Sequence, residues 1–319
     1  LNPIISIIVP SYNKELYISE TVYSVINQTY AHWELLIIDD VSTDTTFDIV
    51  NTIKQKDSRI TFHVNDVNSG ANFSRNYGLK KAKGKFIVFL DADDILGQTC
   101  LEERLKHIEN THLDFAVFTM QVFLKSIGDS TSIWKPNAKN PLQDFLKHHL
   151  SWQTMQPIWK KDFLISIGGF NEDFTRMQDV ELHTRALLVK DVLFKQVSST
   201  PDCYYRIDEN RIELSAYQFM SRWVDSAIMY VNRFESIDLK HKKYLIGTIY
   251  EVFLQTIYRL KNSSITSNEF DELENKLLHT QLHISKWKLV LFSFSKFYNL
   301  KLLRIPGINK VFKNLLYFN

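Results

Sequence analysis

Short unbroken apolar runs alternate with stretches of helical spacing along the first two hundred residues. "PIISIIVP" (3–10), "WELLIIDD" (33–40), "RITFHVN" (59–65) and "KFIVFLDA" (85–92) read as strands, the last buried on both faces. Between them, 14–28, 42–56 and 70–82 carry apolar residues at helical intervals. This β-α-β-α-β order predicts a doubly wound, mostly parallel sheet with helices on both faces. A helix is expected over 99–110, strand-like runs at 115–124 and 131–135, and a helix over 141–150. A strand, a short helix and a Gly turn follow within 155–170, then a helix over 179–190 and strands at 192–198 and 203–207. From about residue 216 the spacing is helical, over 215–234, 242–261 and 268–282. The expected division is an α/β domain over 1–215 and a helical region over 216–319, with no internal repeat.

Three of the early strands end in polar residues. The first ends in Pro10-Ser11-Tyr12-Asn13, the second in Asp39-Asp40, and the fourth in Asp91-Ala92-Asp93-Asp94. In a parallel sheet all three ends lie at one edge, where open α/β sheets bind ligands. Burying unpaired carboxylates there would cost about 3 kcal/mol or more, so they need a neutralising partner or an open, wet crevice. An aromatic ring, a hydrogen-bonding carboxylate pair and a carboxylate pair suited to a hard cation fit a nucleoside diphosphate with Mg²⁺ or Mn²⁺.

Composition narrows the setting. The chain has 319 residues, 45% of them hydrophobic, with no apolar run long enough to span a bilayer. No secretory signal is expected at its start. Two cysteines, Cys100 and Cys203, make no disulfide framework, which points to a reducing cytoplasm. The net charge of +2 conceals an uneven distribution: after Glu274 there is no acidic residue, while Lys276, Lys286, Lys288, Lys296, Lys301, Arg304, Lys310 and Lys313 follow. Interleaved with Trp287, Phe292, Phe294, Phe297 and Tyr298, these fit a helix lying on an anionic membrane surface. The alternatives are packing on the protein or a homo-oligomer contact. Nucleic-acid binding is not expected, since no recognition module accompanies the basic stretch.

The stretches "IVPSYNKE", "SVINQTY", "WELLIIDDVSTD", "NSGANFSRNYGL" and "GKFIVFLDADD" resemble, in order and spacing, the family 2 inverting glycosyltransferases of GT-A fold. The likeness continues more loosely through "IGGFNEDF", "QDVELHTRAL" and "YYRIDENRIELS". It implies a nucleotide-binding half over about 1–95 and an acceptor half over about 96–215. Pro10 and Tyr12 would face the nucleotide base, and Asp40 would accept a hydrogen bond from it, which suits the N3–H of uracil. Arg75 would be a basic contact near the nucleotide. Asp91 would reach the ribose or a metal-bound water, Asp93 would bind Mn²⁺ or Mg²⁺, and Asp94 would cap the following turn. Asp179 would be the catalytic base.

Two departures stand out. The family commonly has Glu-Asp at the base, where this chain has Gln178-Asp179. Where the family often has a His after the Tyr-Arg strand, this chain offers Asp208, a candidate third metal ligand. Glu181 is expected to orient its neighbours or pair with Arg185. His148, His149 and Trp152 either line the acceptor side or belong to helix surface and core. The expected donor is a UDP-hexose or UDP-N-acetylhexosamine, and the expected acceptor a bacterial surface glycan or lipid-linked glycan, met at the inner face of the plasma membrane. A polyprenyl-phosphate acceptor and a glycosyltransferase-like binding protein without turnover are the alternatives.

Overall fold

The computed structural model describes residues 5–207, 214–279, 285–300 and 307–317. Its strands are β1 (Ile5–Ser11), β2 (Trp33–Asp39), β3 (Ile60–Val64), β4 (Phe86–Phe89), β5 (Ile95–Leu96), β6 (Phe115–Val117), β7 (Met120–Phe123), β8 (Ile133–Trp134), β9 (Pro157–Lys160), β10 (Phe194–Gln196) and β11 (Cys203–Arg206). Its helices are α1 (Ile18–Ile26), α2 (Thr46–Lys54), α3 (Ala71–Lys81), α4 (Cys100–Ile108), α5 (Pro141–Leu146), α6 (Lys161–Ser166), α7 (Gln178–Leu188), α8 (Ala216–Arg233), α9 (Leu239–Lys242), α10 (Ile246–Lys261), α11 (Ser267–Leu278), α12 (Lys286–Leu300) and α13 (Ile308–Leu315). Two compact units result. One comprises residues 1–139, 151–173 and 185–211, the other 140–150, 174–184 and 212–319. The division is thus not a single cut along the chain.

The first unit is built on a seven-stranded sheet in the order β10-β6-β9-β4-β1-β2-β3. β1 lies between β4 and β2, parallel to both, and β3 continues the parallel set. Every residue of β1, β2 and β4 is buried, as unbroken apolar runs require of strands covered on both faces. Only β9 runs antiparallel, between β4 and β6. The run 115–124, expected as one strand, is two. β6 joins the large sheet, and β7 joins a second sheet in the order β5-β11-β7-β8. Phe118 and Thr119 make the transfer between sheets, and both are buried. Trp152, an acceptor-side candidate, is fully buried with Phe115 and Phe194 and is a core residue.

The second unit is helical. Ser215 and Thr266 each close a capping box, with Gln218 and Glu269, and so fix the starts of α8 and α11. The helix expected over 242–261 begins only at Ile246, after the short α9. On α12, Leu291 and Phe292 are buried, and the Phe292 ring packs on those of Tyr250 and Phe253 from α10. Three lysines around these helices meet acids of neighbouring helices. Lys276 pairs with Asp225, Lys296 with Glu274 at 2.6 Å, and Lys313 with Glu251 at 2.5 Å. Three of the eight lysines and arginines beyond Glu274 are therefore matched by acids on α8, α10 and α11.

Candidate active site

The register of β1 sets the geometry. Ser11 pairs with Asp39 across to β2, and Ile8 pairs with Phe89 across to β4. One step further, Asp40 N–H donates to Ser11 O at 2.8 Å and Leu90 N–H to Ile8 O at 3.0 Å. The polar ends of all three strands therefore meet at one edge, as the alternation predicts. Pro10 is buried within β1, while the Tyr12 ring just beyond it is 48% exposed.

The two acids ending β2 differ in what they hold. Asp39 folds back on its own turn and accepts from Ser42 Oγ at 2.5 Å and Ser42 N–H at 2.8 Å. Asp40 organises the 65–70 loop. Its Oδ1 accepts from Asn65 Nδ2 and Ser69 N–H, both at 2.8 Å, and its Oδ2 from Gly70 N–H at 2.7 Å. A carboxylate offers about four lone-pair sites, so this arrangement leaves Oδ2 able to accept one more donor.

Beyond β4 the acidic turn is matched by three cations. Arg75, expected on a helix, is nearly fully buried on α3. It donates to Asp91 Oδ1 at 2.7 Å and to Asn72 Oδ1 at 3.2 Å, and its guanidinium lies 5.1 Å from the centre of the Phe170 ring. Its Nε–H has no partner among the described residues. Asp93 is ion-paired to Lys14. Arg206, at the end of β11, donates from Nε to the Asp93 carbonyl at 2.8 Å, pairs with Glu20, and lies over the rings of Tyr17 and Phe123. Asp94 is buried and accepts Arg206 N–H at 2.8 Å, so it ties the turn to β11. Burial, with the Asp93 and Asp91 charges beside it, pushes its carboxyl well above the usual carboxylate range. Lys14 and Arg206 are site residues that sequence reasoning missed. The available signal was position: each directly follows a strand-end motif, "PSYN" and "CYY".

The donor set fits a hard divalent cation. Asp91 and Asp93 present oxygen ligands with side chains 41% and 20% exposed, and each already holds a side-chain cation, Arg75 and Lys14. Among the described residues no cluster of three or more His, Cys, Asp or Glu stands ready to ligate a metal. Asp208, the third candidate, lies outside the described residues.

The Gly turn after α6 is fixed from two sides. Asn76 on α3 accepts from Phe170 N–H at 2.8 Å and donates to Phe170 O at 2.9 Å, while Asn72 donates to Asn171 O at 2.9 Å. Arg185 on α7 donates to the carbonyls of Ile167 and Gly169. Gly169 has a φ of 63°, and a Cβ there would lie 2.5 Å from Asn76 Oδ1, so only glycine fits.

Asp179 belongs to the second unit, in the first turn of α7, where its Oδ1 accepts from Val180 N–H at 2.9 Å. Glu181 is buried and pairs with Arg233 on α8 at 2.7 Å. His183 is buried with its ring stacked on Phe145, and burial lowers its pKa to about 3. His148 is held to about 4 for the same reason and lies 5.4 Å from the Trp223 ring. His149 is also lowered by burial.

Comparison with known proteins now decides the family. The sequence profile "Glycosyl transferase family 2" matches residues 6–166, half of the chain and all of the strand-edge site described above except Arg206. The chain belongs to glycosyl transferase family 2. One relative, the UDP-Glc:alpha-D-GlcNAc-diphosphoundecaprenol beta-1,3-glucosyltransferase WfgD of Escherichia coli, is 44% identical over 112 residues. That match covers 35% of this chain and 44% of the relative, so the chain matches less than half of that enzyme's length. Among solved structures, Staphylococcus aureus TarS 1–349 in complex with UDP superposes with a TM-score of 0.66 at 19% identity, over 93% of this chain and 88% of that one. A mannosyltransferase from Pyrobaculum calidifontis, in complex with GDP-Man and Mn²⁺, gives 0.56 at 16% identity, over 99% and 85%. These likenesses show the fold: a mixed α/β glycosyltransferase fold of GT-A type with a helical C-terminal region.

Proposed function

We propose that this family 2 glycosyltransferase is a metal-dependent inverting enzyme. It would move a hexose or N-acetylhexosamine from a UDP-sugar to a hydroxyl of a glycan or lipid-linked glycan. The observation that carries the reading is the meeting of Asp40, Arg75, Asp91 and Asp93 at one edge of the sheet. Tyr12 would face the uracil ring, beside the backbone of Pro10. Asp40 Oδ2 would take the uracil N3–H with its remaining lone pair. Asp91, oriented by Arg75, would accept a ribose hydroxyl, and the unpaired Nε–H of Arg75 keeps positive charge near the diphosphate. Asp93, with Asp91 and Asp208 as further candidates, would hold Mn²⁺ or Mg²⁺, which supplies charge against the diphosphate leaving group. Asp179 would take the proton of the acceptor hydroxyl as it attacks the anomeric carbon, and a single displacement inverts that centre. The test is calorimetric titration of UDP with Mn²⁺, with chelator, and into Asp93→Asn. Affinity should fall by about tenfold or more without metal or in the variant. Equal affinity in all three would sink the reading.

The chemistry takes place, on this reading, at an anionic membrane surface bearing the acceptor. What favours it is the outer face of α12, where Val290, Phe294 and Phe297 are exposed in one stripe, and Val311 and Leu315 exposed on α13. No helix among the described residues is long and apolar enough to cross a membrane. Removing the C-terminal helices would strip Phe292 from Tyr250 and Phe253, so the clean variant replaces Val290, Phe294 and Phe297 by Ser. It should sediment less with phosphatidylglycerol vesicles than the unaltered chain; equal sedimentation would remove the membrane from the proposal.

A further inference from the structure

The acidic turn is not waiting empty for a cation. Lys14 places its ammonium on the Asp93 carboxylate, and both side chains are only about one-fifth exposed, at 22% and 20%. Local structure holds the lysine there. Lys14 N–H donates to Thr46 Oγ1 at 2.8 Å, and Lys14 O accepts from Tyr17 N–H at 3.0 Å and Ile18 N–H at 2.9 Å, at the entry to α1. Asn13, before it, takes a left-handed φ of 50° and donates its N–H to Ser42 Oγ at 2.9 Å. The lysine backbone is thus bound to the β2–α2 connection, while its flexible stem can move the charge. Asp93 is fixed in turn by Arg206 on its carbonyl. A divalent ion on Asp93 and an ammonium on the same carboxylate repel each other, so each weakens the other's hold.

We propose that Lys14 is an internal competitor for the metal position, and that the diphosphate of the donor draws it away. The inference rests on Asp93 as the metal ligand. Metal alone meets a carboxylate already neutralised. A nucleoside diphosphate brings oxygens that an ammonium binds as a point charge. It takes Lys14, frees Asp93, and leaves the lysine on the leaving group, where negative charge grows. Nucleotide and metal then strengthen each other's binding by one common factor, as linkage requires.

The test is titration of Mn²⁺, followed by its paramagnetic resonance signal, into the full chain, Lys14→Met, Asp93→Asn and the double variant, each with and without saturating UDP. Without nucleotide, Lys14→Met should bind Mn²⁺ about fivefold or more tightly than the unaltered chain, the low end of ordinary coupling. With UDP that advantage should disappear, and in the Asp93→Asn background the Lys14 change should have no effect. Unchanged or weaker Mn²⁺ binding by Lys14→Met alone overturns the competition. An advantage that persists undiminished with UDP overturns the handover. Asp93→Asn binding Mn²⁺ as well as the unaltered chain is a different failure, since it removes the metal ligand itself.

Discussion

At one sheet rim of the first unit two acids stay partly open to water, whereas in the second unit several polar groups are closed in buried pairs among helices. At the rim, Asp91 and Asp93 face water and are matched by Arg75 and Lys14, the first rooted in a helix and the second on a flexible stem. In the second unit, Tyr230 OH meets Thr184 Oγ1 at 2.7 Å, Tyr250 OH meets Ser295 Oγ at 2.7 Å, and Glu181 is buried against Arg233. The difference separates groups kept for exchange from groups kept for structure. A half-exposed ion pair contributes little to stability and can trade partners. A buried hydroxyl pair or carboxylate is costly to unmake, because whichever partner remains is left desolvated.

The largest effect that would test this contrast concerns the one proposed catalytic group outside the rim. Asp179→Asn should lower transfer by about 10² or more, the usual scale for loss of a general base, with UDP affinity unchanged. Asn has nearly the same shape and its Oδ1 can still accept Val180 N–H, so α7 should keep its first turn and the unfolding midpoint should stay put. Near-normal transfer in a folded variant would show that the base is elsewhere and that the second unit holds structure alone.

The rim was legible in the sequence because its signals are local. An apolar run ending in acids marks a buried strand with an open end, and the parallel order brings such ends together. What could not be read were partners set by tertiary approach. Lys14 and Asp93 are 79 residues apart, and Arg206 and Asp93 are 113 apart. Arg233 from α8 meets the Glu181 carboxylate, and Arg185 reaches the carbonyls of the Gly turn. The run 115–124 announces burial without saying against what, so its division between two sheets was hidden. Arg75 is expected near the nucleotide, but its burial, with Asp91 and Phe170 packed on it, is set by tertiary approach.

A smaller effect sharpens the comparison through pH. His183 in the second unit has a folded-state pKa of about 3, depressed by burial, against about 6.5 in an unfolded chain. The unfolded state therefore takes up the proton first. Stability from the neutral ring is complete above pH 6.5 and declines as pH falls toward 3, by at most about 1.4 kcal/mol per pH unit. His148, held to about 4, adds a decline of the same sign. Urea unfolding between pH 7.5 and 5 should show this loss, and His183→Gln should flatten the slope whatever it does to the level. An unchanged slope would mean that this ring is not kept neutral in the fold.

The smallest effect distinguishes two ion pairs that look alike in sequence, both formed by lysines beyond Glu274. Lys296–Glu274 and Lys313–Glu251 have similar side-chain exposures, 30% and 18% against 27% and 19%. Their surroundings differ. Glu251 sits on α10 near His149, and the Lys313 ammonium is the main partner that keeps its carboxyl below the usual range against the opposing effect of burial. The first pair should behave as a surface bridge, so Lys296→Gln should cost under about 1 kcal/mol and the cost should shrink in 1 M salt, where the Debye length is about 3 Å. Lys313→Gln leaves a partly desolvated carboxylate with weaker compensation, and should cost about 1–3 kcal/mol. It should also add acid sensitivity of the opposite origin. With Lys313 present, Glu251 stabilises the fold above its unfolded pKa and loses that contribution as pH falls through its lower folded value; without Lys313 the carboxyl should protonate at higher pH. Equal costs for the two substitutions, both removed by salt, would place Glu251 with the exchangeable groups of the rim rather than with the closed pairs of the helical unit.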